Sequence, residues 1–307
     1  MSKVLVTGGA GFIGSHLVDI LLQEGFEVVV LDNLSTGSLD NIRAHTEKQN
    51  FQFIRGDVVV RDVVRRALRD VKYVFHLAAI ANIDLSVRRP DLVNRVNVTG
   101  TVNLLEESRR ADVERFLFTS SCAVYGEPVK IPVDEEHSTR PLSPYGASKL
   151  AAEHYCMVYH RAYGLETVVL RLFNVYGPRQ ERSPYGGVIS SFINRLKKGL
   201  PPIIFGDGTQ TRDFIYVSDA VEALMLAMKT KRCTGMILNI GSGIEVSIRE
   251  IAERLTRIFG LKVRPIFARQ RAGDVRRMCA DTKRAKEVLG FETKISLDEG
   301  LKTCAGI

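Results

Sequence analysis

Tyr145 and Lys149 stand four residues apart in the stretch Ser143-Pro144-Tyr145-Gly146-Ala147-Ser148-Lys149. On a helix that spacing places both side chains on one face. Pro144 suits a first helical turn, and Ser143 suits the cap before it. A free phenol has a pKa of about 10 and is a poor base at neutral pH. An ammonium group nearby favours the phenolate, so the pair could take a proton from a substrate hydroxyl. By itself the pattern is common on solvated helix faces. Three other stretches give it meaning: Gly8 to Gly14, Asp32, and Ser120-Ser121.

The elements that must position this pair begin at the N-terminus. Lys3-Val4-Leu5-Val6-Thr7 reads as a buried strand. Gly9, Gly11 and Gly14 then complete Gly-x-Gly-x-x-Gly ahead of a helix over about 12–24. Between strand and helix the motif becomes specific, because the glycines allow a tight turn, close backbone approach to a pyrophosphate, and close helix–strand packing. The phosphates would rest on free N–H groups at the helix N-terminus. Residues 27–31 form the second strand, and Asp32 closes it, 18 positions after Gly14. An acid there accepts from a ribose 2′-hydroxyl and repels a 2′-phosphate, which favours NAD over NADP. The competing role for Asp32 is to cap the following turn.

Further strands are expected at 50–54, 73–77, 115–119 and 166–170, with helices at 61–68, 91–110 and from Pro144 to Tyr163. Asp57 follows the third strand and could hold an adenine amino group. Ala78-Ala79 follow the fourth and let backbone approach a ligand, and Asn97 falls near the strand tips. The fifth strand delivers Ser120, Ser121 and Cys122 at its C-terminal end, where open α/β sheets bind ligands. The alternation predicts an α/β fold with a doubly wound parallel sheet of the Rossmann type. After about residue 175 the pattern loosens. Helices are expected at 188–198 and 218–228, the second capped by Ser218. A strand is expected at 214–217, and 236–240 could return to the main sheet. Residues 247–259 and 281–289 belong to a small α/β lobe closing over the strand tips. The expected organisation is a dinucleotide-binding domain over 1–175, its sheet completed from about 212–240, and a lobe mainly over 176–307.

Composition excludes several classes. The chain has 307 residues, 45% hydrophobic and 25% charged, as expected of one large or two modest soluble domains. No apolar run reaches the roughly 20 residues of a membrane span, and residues 1–6 have no signal-peptide features, so a cytoplasmic protein is expected. The net charge of +8 is spread in short clusters such as Arg65-Arg66 and Arg276-Arg277. These are solvated faces or an attraction for a diphosphate; no nucleic-acid motif accompanies them. Five scattered cysteines without Cys-x-x-Cys, and six histidines without ligand spacing, indicate neither metal site nor disulfide framework.

Thr7-Gly-Gly-Ala-Gly-Phe-Ile-Gly14, Tyr145-x-x-x-Lys149, the run from Arg171 through Asn174 to Gln180, and the run from Arg212 through Asp213 to Asp219 together resemble the extended short-chain dehydrogenases/reductases. Arg271-Ala-Gly-Asp274 followed by Ala280-Asp281 resembles their nucleotide-sugar branch, and the similarity is greatest to the UDP-glucose (UDP-galactose) 4-epimerases. The resemblance runs along almost the whole chain. It implies Tyr145 as catalytic base, Lys149 as its electrostatic partner, and Ser121 as hydrogen-bond partner of the sugar hydroxyl. It implies NAD held by Gly8, Gly11, Phe12, Ile13, Gly14, Asp32, Asn33, Asp57, Val58, Leu77, Ala79, Asn97, Ser120, Tyr145 and Lys149. It implies a UDP-hexose held by Ser121, Tyr145, Asn174, Val188, Phe205, Arg212, Arg271, Asp274 and Met278, in a homodimer paired through the 91–110 and 144–163 helices. Tyr155, Met157, Val158 and Tyr159 supply apolar surface for that pairing or for packing on the sheet.

The reaction is read around Ser121. The 4,6-dehydratases and the decarboxylases of this family place acids just after it; here Cys122 and Ala123 stand there, and neither is a carboxyl acid–base group. Epimerisation by oxidation and re-reduction at one carbon is what remains. Cys122 is either a base at a neighbouring sugar carbon or a buried inert thiol. Met278 stands where the family has a bulky or small residue that excludes or admits N-acetyl groups, so partial exclusion is expected, unless Met278 simply fills a core gap. The rivals are an epimerase or reductase for UDP-N-acetylhexosamines or UDP-uronic acids, and a non-enzymatic NAD-sensing or RNA-binding relative.

Overall fold

The computed structural model describes residues 2–180, 186–270 and 275–307. Strands and helices alternate from the start: β1 (Lys3–Thr7), α1 (Phe12–Gln23), β2 (Glu27–Asp32), β3 (Phe51–Arg55), α2 (Arg61–Ala67), β4 (Val71–His76), α3 (Ile83–Arg88), α4 (Pro90–Asn94), α5 (Gly100–Arg110), β5 (Arg115–Ser121), α6 (Pro144–Tyr163) and β6 (Thr167–Leu172). Then follow β7 (Asn174–Tyr176), α7 (Val188–Leu196), β8 (Ile203–Phe205), β9 (Thr211–Tyr216), α8 (Val217–Lys229), β10 (Ile237–Ile240), β11 (Glu245–Ser247), α9 (Ile248–Ile258), β12 (Ile266–Ala268), α10 (Lys283–Leu289) and α11 (Leu297–Ala305).

Seven parallel strands form the main sheet in the order β10-β6-β5-β4-β1-β2-β3. Both faces are buried, as a parallel sheet requires. Val4, Val6, Val28 and Val30 point to one side, where α1 and α8 pack with Leu17, Leu21, Leu224 and Met228. Leu5, Val29 and Leu31 point to the other, against Val64 of α2, Leu104 and Leu105 of α5, and Cys156 of α6. The order reverses between β1 and β4, so the crevice at their C-terminal ends is the place for a ligand.

Three expectations are corrected. The helix expected over 91–110 is divided: a π-turn over Arg95–Thr99 separates α4 from α5. Strand β9 does not join the main sheet; it lies between β11 and β7 in a three-stranded sheet, while β10 pairs with β6. Ser218 does not cap α8. That helix begins at Val217 and Tyr216 occupies the cap position with no side-chain hydrogen bond. Strand β6 also runs two residues past Leu170, because the charge of Arg171 is paired with Glu153 inside the protein.

The smaller lobe has its own core of Ile189, Phe192, Ile204, Val246, Ile251, Leu255 and Leu301. It contains the β11-β9-β7 sheet, the parallel pair β8-β12, and helices α7, α9 and α11. No helix among the described residues is long and apolar enough to cross a membrane. All five cysteines are free, and no cluster of three or more metal-ligating side chains occurs among the described residues.

Candidate active site

Helix α6 starts as its sequence dictates. Pro144 is the first helical residue, and the Ser143 hydroxyl accepts from the Gly146 N–H at 3.1 Å. This fixes Tyr145 and Lys149 one turn apart, beside the end of β5. The Ser121 hydroxyl hydrogen-bonds the Tyr145 phenol and caps the next turn by accepting from the Ala123 N–H at 3.2 Å.

The two members of the pair are not electrostatically coupled in the expected way. Lys149, 4% exposed, donates from Nζ to the Thr119 carbonyl at 2.8 Å and lies 4.8 Å above the Phe118 ring. Burial pulls its pKa down to about 8, opposed by Cys156 and Glu153. Burial pushes the Tyr145 phenol up to about 12, with the Ser121 hydrogen bond pulling the other way. The lowering expected from the ammonium is therefore corrected: its long side chain reaches the strand carbonyl. A positive charge brought beside the phenol would lower it.

The crevice above β1 has the features of a dinucleotide cradle. Gly8 has φ of +73°, and a Cβ there would meet the Ala78 nitrogen at 2.8 Å. A Cβ on Gly14 would meet the Gly8 carbonyl oxygen at 2.2 Å. Gly11 begins α1 with no side chain capping it, so the N–H groups of Phe12 and Ile13 face the loop. Asp32 is held by the Ala10 and Leu34 N–H groups at 3.0 and 2.8 Å. Burial raises its pKa and these bonds oppose the rise. Asn33 donates to Asp57 at 2.9 Å, which in turn accepts from the Val59 N–H at 3.0 Å. Val58 is buried against Gly100, and Leu77 donates its N–H to the Thr7 carbonyl at 3.1 Å, leading to Ala78 and Ala79. Asn97, inside the π-turn, clasps both backbone groups of Ile80 and donates to Ser148 at 3.0 Å. Ser120 departs from expectation: its hydroxyl donates to Glu153, on the opposite side of the strand from Ser121.

On the substrate side, Asn174 donates to the Asp213 carbonyl at 3.0 Å, and Arg212 donates to the Thr211 carbonyl at 2.7 Å. The Arg212 charge also acts on the Cys122 thiol, but burial dominates and pushes that thiol up to about 12. Burial thus favours the protonated Cys122 thiol, as it favours the protonated Tyr145 phenol, in line with the reading of Cys122 as a buried thiol. Val188 opens α7 and Phe205 closes β8; Arg271 and Asp274 lie outside the described residues. Met278 is 2% exposed and packs with Val124, Tyr125, Val133, Phe173 and Ala280, in the cluster that Cys122 also touches. Its burial in that cluster matches the alternative that Met278 fills a core gap.

The family profile described as GDP-mannose 4,6 dehydratase matches residues 5–304. The chain belongs to that family. A Methanocaldococcus jannaschii protein provisionally named a UDP-glucose 4-epimerase is 44% identical over 301 residues, 97% of this chain and 96% of its own length. The structure of UDP-glucose 4-epimerase with UDP-glucose from Thermotoga maritima superposes with a TM-score of 0.94 at 41% identity, covering 99% of this chain and 97% of that one. The Thermus thermophilus UDP-glucose 4-epimerase in complex with NAD superposes with a TM-score of 0.90 at 39% identity, covering 99% and 98%. Other similar proteins are named UDP-N-acetylglucosamine 4-epimerase, UDP-glucuronic acid 4-epimerase and UDP-glucuronic acid decarboxylase.

The protein is thus an NAD-dependent enzyme of the nucleotide-sugar epimerase/dehydratase family, within the extended short-chain dehydrogenases/reductases. The uncapped start of α1, and the tight turn before it, in which backbone occupies the place of a Cβ on Gly8 and Gly14, fit a dinucleotide pyrophosphate. Sequence reasoning missed three buried groups in this family member. His76 bridges the Thr7 and Thr101 hydroxyls at 2.8 Å each, and burial, helped by Lys149, pulls its pKa to about 3. Asp213 accepts from Ser242 N–H and hydroxyl and from the Gly243 and Ala280 N–H groups, at 2.6–3.0 Å. Glu153 forms a forked ion pair with Arg171. The signal for Glu153 was present, four residues beyond Lys149 on the same helix face.

Proposed function

We propose that the protein interconverts UDP-galactose and UDP-glucose at C4′. The observation that carries this reading is the grouping of Ser121, Tyr145 and Lys149 at the end of β5 with Cys122 and Ala123 next in the chain. A proton acceptor is present, and the carboxyl groups needed for elimination or decarboxylation are not at those positions. Ser121 orients the sugar hydroxyl and Tyr145 takes its proton. Lys149 stays charged below about pH 8 and holds the Thr119 end of the strand. Bound NAD⁺ supplies the hydride acceptor and donor for a 4-keto sugar, and a positive ring charge that favours the phenolate. Arg212, Arg271 and Asp274 hold the uridine diphosphate, since guanidinium forks match phosphate oxygens. Because no net oxidation occurs, NAD stays bound.

The test is to incubate the purified protein with UDP-galactose and no added cofactor. UDP-glucose should form, and a reductase would form none. The nucleotide released on denaturation should be NAD. A second reading, turnover of UDP-N-acetylhexosamines or UDP-uronic acids, is favoured by structures carrying those names that superpose with TM-scores of 0.94 and 0.93, at 35% and 36% identity. Parallel assays with the corresponding sugars rank the two.

The same reading includes a cytoplasmic homodimer. Tyr155 and Val158 of α6 are exposed at 43% and 52%, and Ile83 and Val87 of α3, a helix in contact with α6, are exposed too, whereas Tyr159 is buried and bonds Glu106. Half of the apolar surplus on α6 is thus used by the sheet packing and half supports pairing. Light scattering at micromolar concentration should give twice the chain mass.

A further inference from the structure

Adjacent residues of β5 serve opposite faces. Ser121 faces Tyr145, and Ser120 donates to Glu153. Glu153 sits one helical turn after Lys149 on α6. Arg171 of β6 grips it from Nε at 3.0 and 3.2 Å and from Nη2 at 2.8 Å. Arg171 also donates to the Tyr125 hydroxyl at 2.9 Å and stacks 4.8 Å from that ring. Tyr125, four residues after Ser121, donates to Asn239 of β10 at 2.6 Å. Ser120, Glu153, Arg171, Tyr125 and Asn239 are each at most 4% exposed. The titratable and charged groups facing Glu153 are Lys149 and Cys156 from its own helix and Arg171 from β6, with Tyr125 behind the arginine.

We infer that Glu153 is a positioning residue for the reaction, holding the end of β5 through Ser120 and β6 through Arg171 so that Ser121, Tyr145 and Lys149 keep their mutual geometry, and presenting Lys149 with a facing negative charge. A buried ion pair with this many bonds adds little net stability over an apolar substitute. Its chemical consequence lies in its neighbours: Ser121 is one peptide from Ser120, Lys149 is one helical turn from Glu153, and Tyr145 is one turn further along α6. The inference rests on the proposed role of those three residues.

Two measurements test it. Ser120→Ala removes one hydroxyl and leaves the backbone intact. It should lower kcat about tenfold with KM changed less than about threefold, since small misplacement of reacting groups is felt in turnover. Ser120→Thr should restore it. Unchanged kcat in Ser120→Ala overturns the inference. Glu153→Gln keeps the shape and removes the charge. In protein with ¹³Cε-labelled lysine, the Lys149 resonance, assigned by its loss in Lys149→Arg, should titrate about half a pH unit or more lower in Glu153→Gln than in the wild type, because a removed facing anion destabilises the ammonium. An unmoved midpoint overturns the charge role. If Glu153→Gln does not fold, the Ser120→Ala kinetics alone decide. The lysine titration needs no substrate, so absence of UDP-galactose turnover in the wild type overturns the proposed reaction without touching this measurement.

Discussion

The cofactor half and the smaller lobe are built on different principles. The first is a wide sheet whose ligand crevice is shaped by backbone: Gly8 and Gly14 are tight because carbonyls and amides occupy the space of a side chain. The second has strands of three to six residues, too few ladder bonds to fix it, and depends on side chains that bond backbone. Asp213 is the principal one. It ties β9 to the loop after β10 and to Ala280. Backbone-built sites tolerate change in side chains and fail when atoms are added. Side-chain-built sites fail when atoms are removed.

Predictions follow that division, from the largest effect downward. Tyr145→Phe should leave both halves intact and lower kcat by about 10²–10⁴-fold, the usual worth of a general base. Retained NAD, measured by release on denaturation, separates this from damage to the cradle. Acid should strike the cofactor half through His76. Its folded pKa of about 3 lies below the ordinary value of 6.5, so its contribution is whole above pH 6.5 and is lost as pH falls toward 3. The loss is at most about 5 kcal/mol. A His76→Gln variant should show a shallower decline of urea-unfolding free energy over that range.

Asp213→Ala should cost about 3 kcal/mol by leaving buried N–H groups unpaired. It should raise KM for the nucleotide sugar while NAD affinity stays within about threefold of the wild type. Gly14→Ala is the converse. An added Cβ at 2.2 Å from the Gly8 oxygen should cost about 2 kcal/mol and weaken NAD retention with KM for the sugar nearly unchanged. Equal damage to both ligands by either variant would dissolve the distinction. Smallest is Met278→Ser. Met278 is buried in the cluster that Cys122 packs against, so a smaller side chain there opens space, and the ratio of kcat/KM for N-acetyl over unsubstituted sugars should rise by about tenfold or less, with a lowered Tm from the cavity.

The cofactor half was legible because its signals are local and periodic. The glycine spacing, the acid that ends β2, and Ser143 before Pro144 each act within a few residues of themselves. The lobe's three-residue strands β7, β8, β11 and β12 were not anticipated, because so short a run carries no period, and β9 was expected in the main sheet. Long-range commitments were illegible for a different reason. Nothing local says that Lys149 reaches Thr119, that Ser120 serves Glu153, or that Arg171 continues a strand by finding a carboxylate on α6. Each outcome was decided by which partner lay within reach after the sheet had formed. The π-turn was hidden because apolar spacing reads as unbroken helix across it.

That π-turn bears on how chain length can vary. A π-turn holds one residue more than an α-turn, so deleting one residue between Arg95 and Thr99 would let the helix close regularly without disturbing the loops at either end. Lengths in most proteins drift in surface loops; here a single-residue change can be absorbed inside a helix. What would be lost is the seat of Asn97, and with it the clasp on Ile80 and Ser148. Among related chains, a one-residue gap at this point therefore marks a remodelled strand tip, not neutral drift.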